Sequence, residues 1–126
     1  MNTDRILALL TRIPGARSLW CRFPIGSVGL RVRFGIWHRP HYAYGCYSAA
    51  QLARRLGLNG ITVMELGVAG GRGLLALEEI AGAVAGAVGI QIDVVGFDSG
   101  EGMPAPVDYR DLPHVWGQGH PSCPVE

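Results

Sequence analysis

Lysine is absent from this chain of 126 residues, in which all eleven basic residues are arginine, a bias that reflects codon usage more than ligand binding. Long apolar runs are absent as well. Runs such as Ile6 to Leu10 and Ala83 to Ala87 fall far short of the roughly 18 to 20 residues a membrane-crossing helix needs, so no membrane span is expected. Cysteine is scarce: Cys21, Cys46 and Cys123 are scattered, odd in number and without a CxxC pair, which excludes a disulfide framework or a zinc ribbon and fits a reducing cytoplasm. An export signal needs a basic start, an apolar centre and a small-residue cleavage site. Here Asp4 and Arg5 precede a run that is too short and is broken at Thr11 and Arg12, so none is expected and a cytoplasmic location follows.

Acids are almost missing from the first half. Residues 1 to 64 hold nine arginines against Asp4 alone, whereas residues 65 to 126 hold Arg72 and Arg110 against nine acids. Such asymmetry suits a nucleic-acid or anionic-membrane surface, or two halves of one fold that attract each other. Because the arginines are spaced singly rather than clustered, the last reading is favoured and no nucleic-acid partner is expected. What the chain has in quantity is apolar residues, at 48%, and glycine, at 19 residues. That composition describes an α/β chain with a core, and the length leaves room for one compact unit only.

Along the chain, residues 4 to 13 place Ile6, Leu9, Leu10 and Ile13 at helical spacing until Pro14 and Gly15 stop the helix. From Val28 to Trp37 apolar residues alternate with Gly29, Arg31, Arg33 and Gly35, the period-2 pattern of a half-buried strand. HRPHYAYG reads as a loop leading into a helix from about Tyr47 to Leu56. Residues 61 to 66, ITVMEL, predict a strand buried on both faces of a parallel sheet. GVAGGRG and a helix over residues 74 to 88 follow, and then a second strand over residues 92 to 97, which makes a βαβ unit. Beyond Asp98 the prolines and glycines predict loop, with at most a helical turn within residues 108 to 116. The division expected is an N-terminal lead-in over residues 1 to 45 and a ligand-binding βαβ part over residues 46 to 126.

The chemistry concentrates at Glu65-Leu66-Gly67-Val68-Ala69-Gly70-Gly71-Arg72-Gly73, between a predicted strand and a predicted helix. Glycines there let the backbone turn sharply and approach a ligand, and the helix start offers free N–H groups. Asp98 ends the next strand, where a carboxylate accepts hydrogen bonds from ribose hydroxyls. A nicotinamide-dinucleotide fingerprint fits only in the register Gly71, Gly73, Ala76, which starts several residues after the strand instead of in the turn that leaves it. His114, His120 and Cys123 match no zinc spacing, so no metal is assigned. Tyr42, Tyr44 and Tyr47 read either as walls of a ligand mouth or as packing, and Ser99 lacks a nucleophile elbow.

An acid at the strand end, as in Glu65-Leu66-Gly67, resembles the first motif of class I S-adenosylmethionine-dependent methyltransferases. More narrowly, ELGVAGGRG followed by VVGFDSGEGMP, with RPHYAYGCYSAAQLARRLGL upstream, resembles the macrocin O-methyltransferase type over residues 39 to 119. The resemblance implies an incomplete α/β Rossmann-like methyltransferase fold, its first βαβ unit preceded by a helical lead-in. It further implies S-adenosylmethionine as cofactor and a small-molecule methyl acceptor, such as a sugar hydroxyl. Carried over residue by residue, Glu65, Gly67 and Gly71 would cradle the amino-acid end of the cofactor, Asp98 would bind its ribose and Ser99 would line the adjoining wall. Ala69 stands where many members carry glycine, and Gly100 replaces a bulky aromatic. The strands that carry the family's catalytic groups have no counterpart in this sequence. The expectation is therefore a truncated, inactive chain with open sheet edges prone to self-association, the alternatives being an interaction module with a basic N-terminal half and a nicotinamide-dinucleotide-binding protein.

Overall fold

Two short apolar runs with β-branched residues pair side by side in the computed structural model, which describes residues 3–23 and 25–119. Strand β1 (Gly60–Leu66) and strand β2 (Gln91–Phe97) run parallel, in register from Gly60 opposite Gln91 to Leu66 opposite Phe97. Parallel neighbours require a crossover, and helix α5 (Arg72–Val88) supplies it. The fold is mixed α/β around this βαβ unit, with a two-stranded parallel sheet among the described residues.

Four further helices precede it: α1 (Thr3–Leu10), α2 (Ala16–Arg22), α3 (Val28–Arg33) and α4 (Pro40–Arg55). Helix α4 buries Ala43, Cys46, Ala50 and Ala53, spaced so that small side chains form one stripe and two helices can approach closely. That stripe belongs to a core with Ile80, Ala81, Val84 and Val88 of α5, capped by Trp37. Ile61, Val63, Ile92 and Val94 of the sheet pack partly buried against the same core. Helix α4 therefore runs across the boundary expected at residue 45, and both sides of it share one core.

Three expectations from sequence are corrected and one gap is filled. The segment from Val28 is helix, not strand. Ser27 caps it by accepting a hydrogen bond from the Leu30 N–H at 3.2 Å, Phe34 closes it, and Gly35 at φ 64° turns the chain away. With no strand beside it an extended segment would leave its backbone groups unpaired, whereas a six-residue helix satisfies them and still turns Val28 and Val32 toward the core. HRPHYAYG is not a loop: Pro40 sits in the first turn of α4, where its missing N–H is not needed and its φ is already helical. Residues 16 to 22, unassigned from sequence, form α2. Finally, β1 is covered on one face only. Ile61, Val63 and Glu65 point toward the helices, while Thr62, Met64 and Leu66 are exposed, Leu66 at 79%.

Candidate functional site

The site begins where the two strands end. The parallel ladder continues one rung beyond β1, with the Gly67 N–H donating to the Phe97 carbonyl at 2.8 Å. The loop of residues 67 to 71 then reverses through three left-handed residues, Gly67 at φ 84°, Ala69 at φ 47° and Gly71 at φ 74°. Gly71 closes the turn by donating to the Val68 carbonyl at 3.0 Å and is the N-cap of α5.

Across the cleft, Asp98 follows the last residue of β2 and ties this loop to the next. One carboxylate oxygen accepts the Ala69 N–H at 2.8 Å and the other accepts the Gly100 N–H at 2.7 Å. These backbone donors, Ala69 first, hold its pKa below the ordinary carboxylate value. Ser99 beside it accepts the Glu101 N–H at 3.3 Å, and the rim is pinned by the Gly119 N–H donating to the Met103 carbonyl at 2.8 Å. Gly102 permits that crossing, since a Cβ there would collide with the Gly119 backbone.

Between these loops lies a cleft of about 550 Å³, lined by Gly67 and Ala69, by Phe97, Asp98 and Ser99, and by Gly102, Met103 and Pro104. It opens at the carboxyl ends of parallel strands, where α/β sheets place their ligands, and its volume is in the range of small-molecule sites. Of the residues expected to touch a cofactor, Gly67, Asp98 and Ser99 line this cleft. Gly71 and Glu65 do not.

Glu65 turns beneath the loop instead. Its Oε1 accepts the Tyr42 hydroxyl at 2.6 Å, and its carboxylate rests against Gly73, where no Cβ could fit. Its Oε2 is buried without a hydrogen-bond partner. The hydrogen bond to Glu65, with burial and the negative charge of Glu65, raises the Tyr42 pKa above the ordinary phenol value. Tyr42 thus belongs to the scaffold of the site, one of the two readings open to it from sequence. Its partner lies 23 residues away, so no local pattern could have paired them.

The alternative glycine register disperses in space. Gly71 caps α5 and Gly73 carries the Glu65 carboxylate, while Ala76 borders a separate small cavity beside Trp37 and Arg31. Three residues that should face one pyrophosphate do not share a surface. His114 is exposed in the turn after the single 3-10 turn Tyr109–Asp111. His120 and Cys123 lie outside the described residues. Among the described residues no three His, Cys, Asp or Glu side chains stand together as a metal site would require, and no helix is long and apolar enough to cross a membrane. Compared with protein-family models, with curated proteins and with solved structures, the chain gives no match.

Proposed function

We propose that the βαβ unit is the S-adenosylmethionine-binding part of a Rossmann-like methyltransferase of the macrocin O-methyltransferase type, acting on a hydroxyl of a sugar or another small metabolite. One observation carries the reading: the Asp98 carboxylate stands at the end of β2 in the strand-end cleft and is bonded across it to the glycine loop through Ala69. A carboxylate has about four acceptor positions. Ala69 and Gly100 use two and the Val68 N–H also acts on the carboxylate, which leaves capacity for a ribose hydroxyl. Gly67 and Ala69 present a wall with no side chain beyond Cβ, so the backbone and a ligand can come close. Glu65 lies outside the cleft lining and supports the loop from beneath, its carboxylate held by the bond from Tyr42.

When bound, the cofactor supplies an electrophilic methyl group on a sulfonium. The residues of this chain bind and orient, and the rate gain from that orientation is proximity. No residue is assigned as acid or base.

Calorimetric titration with S-adenosylhomocysteine and with NAD tests the reading, the first being expected to bind more tightly. Asp98→Ala is expected to weaken nucleoside binding by about tenfold or more, as loss of a charge-assisted hydrogen bond does, while Glu101→Ala, which alters an exposed loop residue, leaves it unchanged. Tighter binding of NAD, or equal effects of the two substitutions, would overturn it.

A further inference from the structure

Helices α1 and α2 and the residues that follow each of them leave apolar side chains in water. Leu9, Leu10, Ile13, Leu19, Phe23 and Ile25 are all exposed, Leu19 at 62% and Ile25 at 73%. Leu7 and Leu10 of α1, Leu19 and Trp20 of α2, and Phe23 and Ile25 just beyond it line a groove of about 580 Å³. The groove is built rather than frayed. The Trp20 indole N–H donates to the Ile25 carbonyl at 2.8 Å and its ring stacks on Phe34, while the Arg17 guanidinium donates to the Gly35 carbonyl at 2.8 Å. The segment that builds it is basic: Arg12, Arg17 and Arg22 are exposed on it, and no acid occurs between Asp4 and Glu65. Arg12 stands just after α1 and Arg22 ends α2.

We propose that this helix pair is a docking surface for an anionic lipid bilayer. Helices of eight and seven residues rise about 1.5 Å per residue, so neither spans a membrane, and both suit lying in its interface. There the exposed Leu, Phe and Ile side chains enter the acyl boundary while arginines meet the headgroup phosphates. A second copy of the chain would set arginines against arginines. A nucleic acid would satisfy the arginines and leave the apolar groove in water. An anionic lipid surface meets both features. The inference is independent of the cofactor reading, since the groove and the strand-end cleft share no lining residue.

Co-sedimentation of the full chain with extruded vesicles tests it, using phosphatidylcholine alone and an equimolar mixture with phosphatidylglycerol. Binding is expected to the mixed vesicles, at least about tenfold weaker to phosphatidylcholine, and to fall in about 0.5 M salt. Leu19→Asp with Ile25→Asp, both at exposed positions, should abolish it. Arg12→Gln with Arg22→Gln should weaken it about 25-fold, which corresponds to about 1 kcal/mol for each arginine. The comparisons of lipid and salt use the unaltered chain and stand even where a variant folds poorly. Absence of binding to mixed vesicles, equal binding to both compositions, or binding that survives the aspartates would overturn the proposal. So would a dimer that the same aspartates dissolve without any lipid affinity, or capture by heparin alone.

Discussion

Gly73→Ala probes the support beneath the candidate site. Gly73 is buried in the first turn of α5, and a Cβ built on it overlaps Glu65 Oε1 while standing 2.8 Å from Cδ and 3.0 Å from Oε2. A flexible glutamate would ordinarily swing aside. This one is held by the Tyr42 hydroxyl at 2.6 Å, so the added methyl must break that bond or push α5 off β1. A hydrogen bond to a charged group contributes about 1.5–3 kcal/mol. Replacing glycine by alanine in a helix returns about 0.5–1 kcal/mol, so the net loss is about 1–2 kcal/mol. In urea, with a slope of about 1–3 kcal/mol per molar, the unfolding midpoint should fall by about 0.5–1 M. The decisive comparison is with a Glu65→Ala background, which has neither the obstacle nor the bond. There the same substitution keeps only its helical gain, and the midpoint should rise. In a Tyr42→Phe background the carboxylate is free to move and has no bond to lose, so the penalty should vanish and the midpoint should rise here too. Such coupling is what a double-mutant cycle isolates. An equal loss from Gly73→Ala with and without Glu65 would refute the contact as the reason for the glycine.

Three shorter tests address the loop and the core. Asp98 has a depressed pKa in the folded chain, so its contribution is complete above the ordinary carboxylate pKa of about 3.9 and is lost as pH falls through the depressed value. The Ala69 and Gly100 amide resonances should therefore shift together only in strongly acidic solution, and a midpoint above the ordinary carboxylate value would contradict the two hydrogen bonds. Ala69 occupies the left-handed region at φ 47° and Gly67 does so at φ 84°. Ala69→Gly should accordingly raise the urea midpoint and Gly67→Ala lower it, each by about 1 kcal/mol, and shifts of the same sign would refute the loop geometry. Ala50 is fully buried in the stripe of α4 that faces α5. Ala50→Leu should cost about 1–3 kcal/mol by overpacking, measurable by thermal unfolding, and a neutral result would show that the two helices are not in close contact.

The β1–α5–β2 unit was readable because each element carried a pattern that only one structure satisfies. ITVMEL and IDVVGF are too short for helices of the core, and a glycine cluster stood between the first strand and its helix. The N-terminal third carried patterns open to two solutions. Alternation from Val28 to Ile36 describes a strand only if a neighbouring strand exists to take its backbone hydrogen bonds. Without one, the local signals prevail: Ser27 as a cap and Gly35 as a left-handed exit. Pro40 likewise breaks a helix interior but favours the first turn of one. In the site, the positions of Gly67 and Asp98 follow from where strands end. The inward turn of Glu65 follows from Tyr42 and Gly73, contacts between α4, β1 and α5 that no local spacing encodes.

Two carboxylates therefore hold the glycine loop region from opposite sides, and their surroundings make them behave differently. Asp98 sits exposed at the rim, bonded only to backbone N–H groups of loops, so water can replace each bond when the acid is protonated. Glu65 lies half-buried against α5, and its partner Tyr42 belongs to the helix that builds the core. Releasing it disturbs packing as well as one hydrogen bond. A ligand entering the cleft meets a turn whose three left-handed residues are already set by the chain itself. Little ordering of that loop remains to be done on binding, and a loop ordered in advance is the condition under which a few polar contacts at the rim suffice for affinity.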